Sequence, residues 1–100
     1  MFDNPKGLAA AAKSTTNGAR AVQLYGMDIW DAMCAHGPRF KRATIVAALA
    51  KDKGLATSSA KCYVSAFFAY CRACPEDFDG PCAKLVRKGH WFELEDCNIS

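Results

Sequence analysis

Residues 45–64, IVAALAKDKGLATSSAKCYV, decide the fold of this chain. Gly54 separates two stretches with helical periodicity, and a glycine readily takes the positive φ that ends a helix. A small residue four positions before it lets a second helix approach closely, and an apolar residue directly after it fills the angle between the helices. The apolar contacts at this corner would be Ala50, Leu55, Ala60 and Val64. The spacing predicts two helices that meet at a tight turn, a helix-turn-helix.

Two helices are predicted before Gly54. Residues 19–36 have the period of an amphipathic helix, which Gly26 weakens and Gly37-Pro38 ends, because proline disfavours helical geometry in the residue before it. The predicted core stripe of this helix is Val22, Tyr25, Ile29, Trp30 and Met33, with Asp28 and Asp31 facing water. A second helix begins near Lys41 and ends at Gly54. Its expected buried residues are Ile45, Val46, Ala48 and Leu49.

A third helix and a hairpin are predicted after Gly54. The helix runs from near Thr57 to about Ala73, and Pro75 ends it. Its apolar face, at spacings of four, three, four and three, would be Ala60, Val64, Phe67, Cys71 and Cys74. Beyond an acidic turn, AKLVR and HWFEL alternate between apolar and polar residues around Lys88-Gly89, which predicts two strands of a hairpin.

The predicted fold class is mainly α, a three- to four-helix domain with a helix-turn-helix corner and a C-terminal β-hairpin. Residues 1–18 are expected to form an N-terminal arm or one short helix, and residues 19–100 a single helical domain that carries the hairpin. The early apolar run from Leu8 to Ala12 is too short for a secretory signal or a membrane span. We therefore expect a location in the cytoplasm of a bacterial host cell, where the six cysteines would be reduced.

Positive charge is concentrated in the middle of the chain. The net charge is +3, yet residues 1–38 sum to zero and the last twelve residues carry −3. Residues 39–88 hold ten bases against four acids, a net +6. The predicted corner and hairpin are thus the basic part of the molecule, as a surface facing nucleic-acid phosphates requires, although an ordinary solvated face has the same composition.

The order of helix, helix, helix and hairpin is that of a winged helix-turn-helix, whose third helix enters the major groove of DNA and whose hairpin tip reaches backbone phosphates. The third helix would offer two serines and a lysine, and the other bases would contact phosphates. The predicted nucleic-acid-binding residues are Arg39, Lys41, Arg42, Ser58, Ser59, Lys61, Arg87 and Lys88. The expected partner is double-stranded DNA or a nucleoprotein complex, with no membrane and no small-molecule substrate.

Three short motifs resemble the small helix-turn-helix proteins of bacteriophages and other mobile elements. They are Ile29-Trp30-Asp31-Ala32, Arg42 followed by Ile45-Val46-Ala47-Ala48, and Gly54-Leu55 leading into Ala60, and they cover about residues 28–73. The resemblance implies a DNA-binding regulator or accessory factor. The outward positions of the third helix depart from that pattern, since they hold no Asn or Gln to pair with adenine and no arginine in the first two turns.

A second class of function is left open by this departure. In size and type the chain also resembles an anti-CRISPR protein, which docks on a CRISPR surveillance complex and blocks target DNA binding there. That resemblance implies an inhibitor acting by protein-protein interaction, whose carboxylates mimic phosphates and meet bases of the partner. The partner-binding residues on this alternative would be Asp28, Asp31, Glu76, Asp77 and Asp79.

Neither a metal site nor a catalytic site is predicted. Cys71-x-x-Cys74, with Cys82 and His90 beyond, supplies ligand types that zinc accepts, but the pair continues an apolar helix face, where cysteine is typically a core residue. His36 and His90 have no carboxylate or nucleophile at a partnering distance in the sequence. We therefore expect a protein without a metal or cofactor that acts by binding.

Overall fold

A pair of helices precedes a short strand, and a second pair of helices precedes two further strands. The computed structural model describes residues 2–36, 39–74, 83–88 and 91–96, and its side-chain contacts concern residues 2–36 and 40–74. In this part of the chain the elements are α1 (Pro5–Ser14), α2 (Gly18–Ala35), β1 (Arg39–Phe40), α3 (Arg42–Lys53), α4 (Thr57–Ala73), β2 (Ala83–Lys88) and β3 (Trp91–Asp96). The prediction of a mainly helical fold is confirmed.

Helix α1 lies within residues 1–18, which the sequence analysis expected to form either an arm or one short helix. Asn4 caps it, since its side-chain oxygen accepts a hydrogen bond from the backbone N–H of Lys6 at 3.0 Å, and Pro5 stands at the first helical position. The helix ends at Ser14, and Asn17, with a φ of 62°, turns the chain into α2. Of the two alternatives, an arm or one short helix, the structure shows the short helix.

Helix α1 packs against both α2 and α4 through close backbone approaches. The backbone N–H of Asn4 donates to the hydroxyl of Tyr70 at 3.1 Å, and Gly7 lies against the Tyr70 ring. Gly18 at the start of α2 lies against the backbone carbonyl of Ala11. A β-carbon at either glycine would overlap with these neighbours, so the absence of a side chain permits the packing.

Helix α4 forms the centre of the core, since α1, α2 and α3 all pack against it. The five residues of its predicted apolar face are buried, which confirms that prediction. Burial extends beyond that face to Ala66, Phe68 and Tyr70. A single apolar stripe is typical of a helix that packs on one side only. Helix α4 is covered on more than one side, so residues outside the stripe are buried too.

Helix α2 follows its predicted pattern with two corrections. Val22, Ile29 and Met33 are fully buried, but Tyr25 and Trp30 are only half-buried and pack against the edge of the core. Asp28 does not simply face water, because its carboxylate is paired with the Nζ of Lys53 at 3.2 Å. The helix continues through Gly26, the residue expected to weaken it.

The position of Gly26 is explained by Phe2. The Phe2 ring lies over Gly26, where a β-carbon would come within 2.7 Å of it. That ring also meets Phe67 edge-on at a centroid distance of 5.1 Å. The glycine therefore makes room for an aromatic contact between the N-terminus and α4, which helical periodicity does not reveal.

Helices α3 and α4 are separated by three residues, Gly54 to Ala56. Gly54 has the expected positive φ, 64°, with a ψ of 37°, and the N–H of Leu55 donates to the carbonyl of Ala50 at 3.0 Å. Leu55 packs half-buried against the core. In α3 the buried residues are Ile45, Val46 and Leu49, while Ala48, predicted to be buried, is only half-buried.

A short strand that the sequence analysis did not identify, β1, joins the C-terminal strands. It pairs with β3 in antiparallel fashion, Arg39 opposite Glu93 and Phe40 opposite Phe92, and β2 pairs with the other side of β3. The strand order is β1-β3-β2. Phe40 is buried with its ring 6.2 Å from that of Phe68, which fixes the strand to α4. Of the predicted hairpin junction Lys88-Gly89, Lys88 is the last residue of β2 and Gly89 lies outside the described residues.

Candidate nucleic-acid interface

The N-terminal halves of α3 and α4 enclose a groove of about 310 Å³. Helix α3 contributes its first two turns, and helix α4 contributes its first residue and the side chain one turn later. The groove is lined by Arg42, Ala43, Val46, Ala47, Thr57 and Lys61. Two of these, Arg42 and Lys61, belong to the set predicted from the sequence, so the fold brings together bases that are nineteen positions apart in the chain.

The groove is suited to an anionic group that has an apolar group beside it. Its floor consists of alanines and Val46, and its cations are Arg42, half-buried, and Lys61, exposed. Neither of the two helices carries an acidic residue in its first turn. Because a helix N-terminus bears partial positive charge and N–H groups without partners inside the helix, both ends add to the field of the two bases.

The sheet brings the backbone of the remaining predicted bases close to the start of α3. Phe92 of β3 lies opposite Phe40 on one side and Arg87 on the other, and Trp91 lies opposite Lys88. Lys41 and Arg42 directly follow Phe40. Neighbouring strands are about 4.8 Å apart, so the backbone at Arg87 lies roughly 10 Å from the strand that leads into α3. Arg39, in β1, belongs to this group by position.

The serines of α4 occupy its first turn. Ser58 is exposed and Ser59 half-buried, one and two residues after Thr57. Further along, the hydroxyl of Ser65 donates to the carbonyl of Lys61 at 2.9 Å, a bond within the helix. The outward surface of α4 near the groove is thus made of short hydroxyl side chains and one lysine. Thr57 is exposed and belongs to this surface, although the sequence analysis did not include it among the binding residues.

An acidic hollow of about 330 Å³ lies between α2 and a different face of α3. Asp28 and Asp31, predicted for the alternative function, line it together with Asp52, Ala48 and Leu49. The carboxylate of Asp28, through its hydrogen bond and its charge, raises the pKa of Lys53. The other predicted acids, Glu76, Asp77 and Asp79, lie outside the described residues.

Cys71 and Cys74 lie in the core, at the C-terminal end of α4. Burial raises the pKa of the Cys71 thiol well above its usual range, and so the thiol stays protonated. Within the described ranges, no cluster of three or more His, Cys, Asp or Glu side chains is arranged to hold a metal ion. Cys82 and His90, the other two ligands of the zinc alternative, fall in the parts left undescribed.

Comparison with known proteins identifies no relative. No protein-family model, no curated protein and no solved structure matches this chain significantly. The helices of the described part were also compared with the requirements of a membrane span, and none of them is both long enough and apolar enough to cross a bilayer.

Proposed function

We propose that this protein is a non-enzymatic DNA-binding protein with a winged helix-turn-helix, of the type that phages and mobile elements use as regulators. The observation that carries the proposal is the order of the elements from α2 to β3, together with the sheet order β1-β3-β2. This order places the strand before α3 and the two strands after α4 in one sheet. Helix α4 would be the recognition helix, and β2 and β3 would be the wing.

The contacts expected from this arrangement are mainly to the DNA backbone. Arg42 and Lys61 on the groove, with Lys41 beside them, would bind phosphates at the ends of α3 and α4. Arg87 and Lys88 on β2 would reach phosphates of a neighbouring segment, as would Arg39 on β1. The hydroxyls of Ser58 and Ser59 would face the major groove, where they donate to or accept from any base pair.

This composition favours affinity over sequence selectivity. A bidentate Arg, Asn or Gln discriminates between bases by roughly 1–3 kcal/mol, and the first two turns of α4 contain none. Phosphate contacts, in contrast, are the same for every sequence. We therefore propose binding that falls steeply with salt and that changes little between duplexes of unrelated sequence.

Fluorescence anisotropy of a labelled duplex, measured over a range of salt concentrations, tests the proposal. The logarithm of the association constant should fall linearly with that of salt, with a slope of roughly −0.9 for each phosphate neutralised. Arg42→Glu with Lys61→Glu should abolish binding. A duplex that shows no binding at low ionic strength would end the proposal.

A matched control is available on α1. Lys6→Glu with Lys13→Glu changes the net charge equally, at two exposed positions on a helix that packs near Tyr70 and Cys74, at the other end of α4. This control should bind DNA nearly as the parent does and keep its salt slope. Equal losses in both double variants would mean that only net charge matters and that the groove is not the contact surface.

A second candidate function is supported by the acidic hollow between α2 and α3. Three carboxylates on one concave surface, Asp28, Asp31 and Asp52, resemble a short run of phosphates, although Lys53 pairs with the first and the last of them. On this proposal the protein is an anti-CRISPR inhibitor that presents these carboxylates to the DNA-binding bases of a surveillance complex. Purified surveillance complexes should then lose target DNA binding when the protein is added, and Asp28→Lys with Asp52→Lys should relieve that inhibition.

A further inference from the structure

The outward face of α2 carries an apolar pair between two opposite charges. Leu24 and Met27 are 57% and 40% exposed and are the large apolar side chains left exposed in the described part of the chain. Arg20 precedes this pair and Asp31 follows it, at spacings of four, three and four, so all four side chains lie along one stripe of the helix. The opposite side of α2, with Val22, Ile29 and Met33, is buried in the core.

The stripe is complementary to itself when it is turned end to end. Arg20 and Leu24 lie as far before the midpoint between Tyr25 and Gly26 as Asp31 and Met27 lie after it. A second α2 placed antiparallel across that midpoint therefore brings Leu24 opposite Met27 and Arg20 opposite Asp31. A two-fold axis repeats each of these contacts, which is the requirement for an isologous interface.

We propose that two copies of this chain form a symmetric dimer through antiparallel packing of their α2 helices along the Arg20–Leu24–Met27–Asp31 stripe. The 4-3-4 spacing is that of a coiled-coil seam, which packs helices at a small crossing angle of about 20°. At this angle the ion pairs at the two ends of the interface lie roughly 16 Å apart, eleven residues of helix rise. The two apolar pairs are at its centre.

A second copy fits the stripe better than an unrelated partner because the charges themselves fix the partner's orientation. Parallel packing would place Arg20 against Arg20 and Asp31 against Asp31, two repulsive contacts that the antiparallel arrangement converts into attractive ones. A hollow of about 230 Å³, lined by Arg20, Leu24 and Tyr63 among others, opens beside the stripe. The flexible Met27 side chain of the second copy would lie at its edge and can enter it.

Sedimentation velocity over a range of protein concentrations at low ionic strength tests the dimer. The unmodified chain should shift from monomer to dimer as its concentration rises. Arg20→Asp alone and Asp31→Arg alone should each raise the dimer dissociation constant at least tenfold, because each sets like charges opposite each other. The double variant Arg20→Asp, Asp31→Arg restores both ion pairs and should return the constant to near its original value.

Two further variants separate the interface from effects on the fold. Leu24→Glu places a charge at the apolar centre and should abolish the dimer, while Lys13→Asp, an exposed charge change on α1, should leave it intact. Circular dichroism should be unchanged in all of them, since the altered side chains are exposed. A chain that is monomeric at every concentration, or a dimer that the double swap fails to rescue, overturns the proposal.

Discussion

Single glycines in this chain serve two different physical purposes. Gly54 has a φ of 64° and nothing within 4 Å of the place that a β-carbon would occupy, so its role is conformational. Gly18 lies against the backbone carbonyl of Ala11, so its role is steric. The same substitution to alanine therefore acts at the two positions for different reasons, and it can be used to test each reason separately.

Gly54→Ala should lower the free energy of unfolding by about 1–2 kcal/mol, the cost of left-handed backbone for a residue with a β-carbon. Gly54→Asn should cost less, because asparagine tolerates that conformation. Urea unfolding followed by circular dichroism measures both. If alanine proved as stable as glycine, the positive φ at the corner would be incorrect.

The buried thiol of Cys71 should make the protein less stable in alkaline solution. Its pKa is raised in the folded state, mainly by burial, so the unfolded chain loses this proton first. Below the ordinary thiol pKa of about 8.5 the thiol is protonated in both states and does not destabilise the fold. The free energy of unfolding then falls as pH rises from there toward the folded-state pKa.

Comparison with Cys71→Ala isolates this effect. Between pH 8.5 and 10 the parent should lose up to about 1.4 kcal/mol of unfolding free energy per pH unit more than the variant does. Urea titrations at each pH supply these values. Parallel pH dependences in the two proteins would show that the thiol ionises equally well in the folded state.

At the scale of elements, α4 organises the molecule and α1 completes it. Three helices pack on α4, and burial therefore spreads around more than one of its faces. The N-terminal segment seals this core with Phe2, Ala11 and the bond from Asn4 to Tyr70. Helix α1 is thus a structural part of the domain, although it is short and rich in alanine.

Gly18→Ala tests the close packing of α1 on α2. The new β-carbon would overlap with backbone atoms of Ala11, which have no side-chain freedom to move aside, and α1 would have to shift. We expect a loss of about 2 kcal/mol in the free energy of unfolding, within the range for overpacking. Ala12→Ser, on the exposed side of α1, is the control and should change it by less than about 0.5 kcal/mol. A stabilised Gly18→Ala protein would contradict this packing.

For the whole molecule, the Cα radius of gyration is 12.5 Å, close to the roughly 13 Å typical of a compact chain of this length. Its core cluster includes residues from Phe2 to Cys74 and therefore joins the N-terminal helix to the corner and α4. With one continuous core, residues 2–36 and 40–74 show no internal boundary at which one part is expected to unfold before the rest.

We expect a single cooperative unfolding transition. Tryptophan fluorescence, which reports on Trp30 in α2 and Trp91 in β3, and far-ultraviolet circular dichroism, which reports on all helices, should give the same urea midpoint. The test bears directly on α1, since ten helical residues that unfolded early would lower the circular dichroism signal before the fluorescence changed. Two separated midpoints would show that α1 is not part of the cooperative unit.

The sequence by itself determined the features that depend on local chemistry. Helical periodicity and the Gly-Pro and Gly54 breaks located α2, α3 and α4, because the apolar spacing and the backbone freedom of these residues are properties of short segments. The apolar face of α4 followed in the same way. The basic character of residues 39–88 was also visible, although which of these bases lie together was not.

Only the tertiary structure decided the features that join distant residues. The hydrogen bond from Asn4 to Tyr70 spans 66 positions, and the two-residue strand β1 exists because β3, more than fifty residues later, pairs with it. The groove between Arg42 and Lys61 likewise requires α3 and α4 to be packed. Such contacts form where the surfaces of separate segments fit together. The spacing of apolar residues within one segment does not tell which other segment will cover it.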